Sequence, residues 1–290
     1  MEAKKRMILQ MNDGAYVSVI AWPELMTTED RIKLVERAVG LGPFLAEQAV
    51  RRRVPSIICR MAIPEATRAL TVLQRAGAVV FGPKQSAFQK RANVHAAKRL
   101  ISGSGTSYLA EAWRGEPLAF DAVDIAVLVR ASLRATETKS LEQGGSGFMS
   151  LAVNPYGSNV GVVAADLAGD FETISSARPT RLNLTKIVDL HLVDGTRIRL
   201  NGDKFSFDVL GDKRGYTDKQ NMDKLAVLLS EQAPNAVVDL NFRSFRVPPD
   251  LHAAINRTHG SGRVRQTVEA PGFDFYSVWA ALMYRHLASS

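Results

Sequence analysis

The chain is poor in the residues that usually announce chemistry. One cysteine, Cys59, stands in 290 residues, which excludes an internal disulfide framework and a cysteine-based structural zinc site within one chain. The five histidines, His95, His191, His252, His259 and His286, form no i, i+3 or i+4 pair and no HExxH, and His252 and His259, seven apart, have poor ligand spacing. No metal and no cofactor is therefore expected. No run of 18 apolar residues occurs, so no transmembrane span is expected, and the opening MEAKKRMILQMNDG breaks its apolar stretch at Gln10 and Asn12 before a signal-peptide core could form. A cytoplasmic protein is the expectation.

Catalytic frames are missing as well. Gly103-Ser104-Gly105-Thr106 and Gly144-Gly145-Ser146-Gly147 lack the Lys-Ser/Thr of a P-loop and the strand-GxGxxG-helix setting of a dinucleotide site, so each reads as a joint. Ser107 has no G-x-S-x-G frame. No catalytic residue is assigned. A hydrolase-like enzyme in the second half is a third alternative, with Asp189, Asp194, Asp203 and Asp208 the acids to inspect and turn chemistry or solvated strand faces their ordinary role.

What is present is unevenly distributed positive charge. The net charge is +8, but residues 1–101 hold 17 Lys+Arg against 8 Asp+Glu, and residues 102–290 hold 20 against 21. All the excess lies in the first third, where clustered cations raise the local potential and favour an acidic partner.

The first third also shows ordered punctuation. Tyr16 to Ala21 is a β-branched apolar run ended by Pro23; Thr27 is an N-cap with Glu29 and Asp30 behind it; Ile32, Leu34, Val35, Ala38 and Val39 form a helical face. Gly40-Leu41-Gly42-Pro43 closes that helix and opens another over 44–53, expected to turn Phe44, Leu45, Ala49 and Val50 inward. A strand at Ser56 to Arg60, a helix from Ile63 to Gly77 and a strand at Ala78 to Phe81 follow, so 14–82 reads β-α-α-β-α-β. This order, with its helix-Gly-Leu-Gly-helix corner and its Ala76-Gly77-Ala78-Val79 ending, resembles the C-terminal domain of the bacterial ribosomal stalk protein, a fold shared with the Clp protease adaptor domain.

The resemblance covers 14–82 alone. In the stalk family the first two helices present basic and apolar residues to translation GTPases; Ile32 and Lys33 match that surface, while Glu36 and Glu47 stand where the family carries cations. The adaptor family holds an α-amino group with acidic and His side chains, and 14–82 contains no His. The resemblance thus implies a small α/β unit with an exposed helical pair suited to partners, and no catalytic group in the motif.

Residues 83–107 read as a basic, partly helical connector ending in a Gly/Ser joint, and therefore as a domain boundary, with 14–82 expected to fold by itself. Lys84, Lys90, Arg91, Lys98 and Arg99, with Phe81 and Phe88 nearby, are the candidate nucleic-acid contacts. From 108 to 246 the pattern is β-rich: 123–133, 160–163, and a hairpin of 187–193 and 196–200 about Asp194-Gly195, a sequence suited to a two-residue turn. Phe205 and Phe207 alternate as in another strand, Asp218 caps a helix of about 15 residues, and 236–240 is a last strand. A small barrel or sheet with a packed helix, pleckstrin-homology-like on pattern, is one candidate. In the extension 247–290, Pro248-Pro249-Asp250 opens a short helix, and Phe273 to Leu287 reads as a helix apolar around most of its circumference, to be buried on its own chain or in a homo-oligomer.

The expectation is an α+β protein acting as a non-enzymatic interaction or adaptor module. It binds an acidic protein through Ile32, Lys33, Arg37, Arg51, Arg52 and Arg53; the alternative is a nucleic-acid-binding protein using the basic first third.

Overall fold

Apolar residues at period two give β1, Gly14–Ala21, two different faces. In the computed structural model, which describes residues 14–89, 93–135, 183–246 and 270–290, β1 lies between β2 (Ser56–Ala62) and β3 (Val79–Phe81), antiparallel to both. Its Ala15, Val17 and Val19 pack against α1 (Thr28–Val39), α2 (Pro43–Val50) and α3 (Ile63–Arg75). The local signals act as read. The Thr27 hydroxyl accepts from the Asp30 amide at 3.1 Å, Gly40 ends α1 at φ 74°, and Pro43 opens α2. The other face of this sheet carries Tyr16, Ser18 and Ile20, joined by Ile57 and Phe81.

A second sheet has seven strands in the order β10-β7-β8-β9-β4-β5-β6. They are β4 (His95–Ser102), β5 (Ser107–Ala112), β6 (Leu118–Asp121), β7 (Ile125–Ala135), β8 (Asn183–Leu192), β9 (Arg197–Asn201) and β10 (Val237–Asp239). The β10–β7 and β9–β4 pairs are parallel and the rest antiparallel. Where a small barrel was one expectation, the sheet is open among the described residues, with β10 and β6 at its edges. One face is covered by α5 (Asp218–Gln232), Phe205, Phe207 and Leu210.

The segment 83–107 is not a connector. It supplies α4 (Gln85–Gln89) and then β4, an interior strand of the large sheet. A register shift between Ala97 and Arg99 puts Ala97 and Leu100, three apart, on the same side, which breaks the alternation and imitates patchy helical spacing. The Gly/Ser joint is the β4–β5 hairpin turn, closed by the Gly103 amide on the Ser107 carbonyl at 2.8 Å, with Gly105 at φ 66°.

Two smaller differences follow from tertiary competition. Phe205 and Phe207 belong to no strand; Ser206 makes one bridge with Arg99 beyond the last β9–β4 pair, and the chain then turns into a 3-10 segment, Asp208–Lys213. The cap of α5 is Thr217, whose hydroxyl accepts from the Gln220 amide, rather than Asp218. The strand expected at 160–163, the Gly144–Gly147 joint, the helix at 248–255, His252 and His259 lie outside the described residues.

The last helix, α6 (Ala270–Ser289), occupies the space between the two sheets. Phe273, Tyr276, Trp279 and Met283 share one core cluster with Tyr16, Ile57 and Phe81 of the first sheet and with Val127, Val129, Leu133 and Ile187 of the second. The layer order is α1–α3, small sheet, α6, large sheet, α5.

Candidate functional sites

The outer side of α1–α2 is the surface expected to meet an acidic partner. Lys33 and Arg37, one turn apart, are exposed on α1, as are Arg51 and Arg53 at the end of α2. Ile32 is half-buried against the α1–α3 core rather than presented. Arg52 turns inward and donates to the Ile57 carbonyl on β2 at 3.0 Å, so it anchors the end of α2. Arg51 pairs with Glu47 one turn before it, at 2.7 Å.

Phe44 and Leu45 reverse their expected direction. The buried face of α2 is Ala46, Ala49 and Val50, at i, i+3 and i+4. Phe44 lies on the opposite side of the wheel, 68% exposed, and Leu45 at the margin, 51% exposed. Two adjacent large apolar groups therefore stand in water.

The cations assigned to nucleic acid do not form one stripe. Lys84 bridges to Ala15 beside the small sheet, Lys98 and Arg99 lie on β4, and Lys90 and Arg91 are outside the described residues. Arg99 is held by Glu111 at 2.6 Å across the β4–β5 pair. The rings proposed for base stacking are taken: Phe81 is buried, and Phe88 stacks on Phe275 of α6 with centroids 4.7 Å apart.

Of the acids the sequence singled out, Asp189 stands in a dense cluster of charges whose other members the sequence did not indicate. Asp189 on β8 is fully buried and accepts from Arg197 Nε and Nη2 at 2.9 and 2.6 Å and from Arg199 Nε and Nη2 at 2.8 and 2.9 Å. Asp274 of α6 bridges the same guanidiniums at 2.9 and 2.6 Å from the open side. The Ser277 hydroxyl donates to Asp189 at 2.6 Å, so its oxygen accepts from His191 Nε2 at 2.7 Å, which places the proton on Nε2. Burial pushes the Asp189 carboxyl up, but the Arg199 and Arg197 guanidiniums outweigh it and hold the group well below the usual carboxylate range. Burial lowers Arg199 and its two carboxylates more than restore it, so it stays above its ordinary value. The readable signal was the hairpin: with its turn at Asp194-Gly195, Asp189 faces Arg199 and His191 faces Arg197.

A second buried carboxylate is equally saturated. Asp239 accepts from the Tyr276 and Tyr284 hydroxyls at 2.6 and 2.8 Å and from the Asn241 amide at 2.8 Å. Burial, then the charge of Asp239, pushes both phenols up. Of the other acids singled out, Asp194 closes the hairpin turn by accepting from Thr196, and Asp203 and Asp208 are exposed beside their own turns.

No family model, curated protein or solved structure matches this chain. What the arrangement can do is therefore read from its chemistry alone. Asp189 is a fixed anion that holds α6 to the β8–β9 hairpin, not a group that exchanges protons near neutrality. Beside it opens a cleft of about 530 Å³, walled by Phe88, Val94, Phe275 and Val278, with Arg199 and Asp274 already balancing one another at its rim. Among the described residues no group of three or more His, Cys, Asp or Glu can hold a metal ion, and no helix is long and apolar enough to cross a membrane.

Proposed function

We propose that the chain is a non-enzymatic interaction module whose α1–α2 face binds an acidic protein segment carrying apolar side chains. The observation that carries this reading is the adjacent exposure of Phe44 and Leu45 on a helix that needs only Ala46, Ala49 and Val50 for its own packing. Lys33 and Arg37 on the outer side of α1, with Arg51 and Arg53 just past the end of α2, supply the complementary charge. Asp189 and Asp239 are both engaged in holding α6, through the arginines and through the tyrosines respectively.

The test is affinity capture with the whole chain, comparing wild type with Phe44→Ser/Leu45→Ser and with Lys33→Glu/Arg37→Glu. Removing an aromatic anchor from the centre of an interface costs about 2 kcal/mol or more, roughly thirtyfold in affinity. Both variants should lose the same acidic protein while keeping the parent thermal midpoint. Undiminished capture by the first variant overturns the reading.

A second reading rests on one observation, the Lys98 ammonium 5.8 Å from the ring centroid of exposed Trp113, with exposed Arg114 beside it. Such a pair suits stacking on a nucleic-acid strand. If it operates, affinity for mixed RNA falls with log[salt] with a slope of about −0.7 per phosphate neutralised, and Trp113→Ala weakens it; absence of binding at low salt removes it.

A further inference from the structure

Strand β10 is short, and its end creates a cavity. Its last residue, Asp239, pairs with Val129, whereas β7 runs on to Ala135. Past that point β7 has no strand beside it on that side among the described residues, and the chain leaves β10 through Leu240 into a 3-10 turn, Asn241–Ser244. Between the turn, β7, β8 and α5 lies a cavity of about 160 Å³. Its polar lining is Arg130 and Ser132 of β7, Lys186 of β8, Asp223 of α5 and Arg243 of the turn; Phe242, Leu240 and Met222 are among its apolar walls.

The charges around this space do not balance. Among the described residues Asp223 is the only acid in the lining, and it is shared: Arg130 Nη2 donates to its Oδ1 at 2.5 Å and Lys186 Nζ to its Oδ2. Both cations are about three-quarters buried, at 25% and 24% side-chain exposure, so their fields are only partly screened. Arg243 makes no ion pair among the described residues. Three cations against one carboxylate leave the lining with an excess of two positive charges.

We propose that this cavity binds a phosphoryl dianion, with Arg243 as its unengaged arm, Arg130 and Lys186 as its floor and the Ser132 hydroxyl as a further donor. A dianion neutralises the excess, and guanidinium groups match phosphate oxygens in geometry as well as charge. The volume accommodates one phosphoryl group, and exposed Leu240 beside Phe242 offers an apolar rim for an organic part. Free phosphate and a phosphate monoester share this chemistry, and the site is separate from the α1–α2 face.

The experiment titrates inorganic phosphate and, separately, phenyl phosphate into the full chain at constant ionic strength, followed by calorimetry. Saturable binding of one equivalent is expected. Arg243→Gln should weaken it about tenfold, equal to about 1.4 kcal/mol, while leaving the thermal midpoint unchanged since Arg243 is exposed. Arg68→Gln, exposed on α3 and far from the cavity lining, should bind as wild type does. Tighter binding of phenyl phosphate assigns the site to an ester, and equal binding to the free ion; both support the proposal. Failure of wild type to bind either probe saturably, or equal losses in the Arg243 and Arg68 variants, overturns it.

Discussion

Asp189 shows how a residue's role changes with its surroundings. In a solvated strand it would be one more surface carboxylate; under α6 it is the shared acceptor of two arginines whose side chains are 2% and 16% exposed. A buried ion pair contributes little net stability against an apolar replacement, but breaking one costs about 3–5 kcal/mol because a buried charge is left uncompensated. Asp189→Asn should therefore lower unfolding stability by about that amount at neutral pH. Adding Arg197→Met and Arg199→Met should recover much of the loss. A single variant within about 1 kcal/mol of wild type in urea denaturation would refute the assigned role. The acid dependence has a definite sign. Because the folded state holds this carboxyl below its unfolded value of about 3.9, its contribution is complete above that pH and erodes as pH falls further toward the depressed folded value. The wild-type denaturation midpoint should therefore drop below about pH 4 more steeply than that of the Asn variant.

At the scale of the element, α6 is the piece on which both sheets depend. A surface helix shows one apolar stripe to one neighbour; this one buries Phe273, Tyr276, Ser277, Val278, Trp279, Ala280, Ala281 and Met283 because it has a sheet on either side. Trp279 marks the seam, with its indole N–H on the Ser18 hydroxyl of β1 at 3.2 Å. Trp279→Ala should cost about 3–5 kcal/mol, the usual loss for a large buried aromatic. Amide exchange should accelerate in β1 and in β7 together. Exchange that changes in only one of those strands would show that α6 serves one sheet alone. The helix was legible as buried, since its apolar groups leave little polar circumference, but its two-sided burial was not, because the strands that cover it lie far away in sequence. The connector failed for the opposite reason: its local signals were readable and misleading, as the register shift in β4 removed the alternation that identifies a strand.

At the scale of the whole molecule, the division read near 83–107 leaves one core under α1–α3 and another under α5, but a third core, where the rear of the small sheet and the large sheet both pack on α6, spans it, and β4 lies inside the large sheet. A fragment 1–84 would keep the α1–α3 core but bare Tyr16, Ile20, Ile57 and Phe81. It should bind hydrophobic dyes and self-associate where the full chain does not. A monomeric fragment that unfolds cooperatively without dye binding would show the first lobe to be independent of α6. The amino-acid sequence by itself determined the caps of α1, the corner at Gly40-Leu41-Gly42-Pro43, the Asp194-Gly195 hairpin and the need to bury 273–287. Each of these depends on residues within a turn or two of one another, where backbone preference and periodicity act. Only the tertiary structure decided that Phe44 and Leu45 face water, that Asp189 is enclosed by arginines, that three cations converge beyond the end of β10, and that α6 lies between two sheets. Burial and charge balance are set by whatever packs alongside. Here the neighbours are as distant as Ser18 and Trp279, 261 positions apart, a separation over which no local pattern carries information.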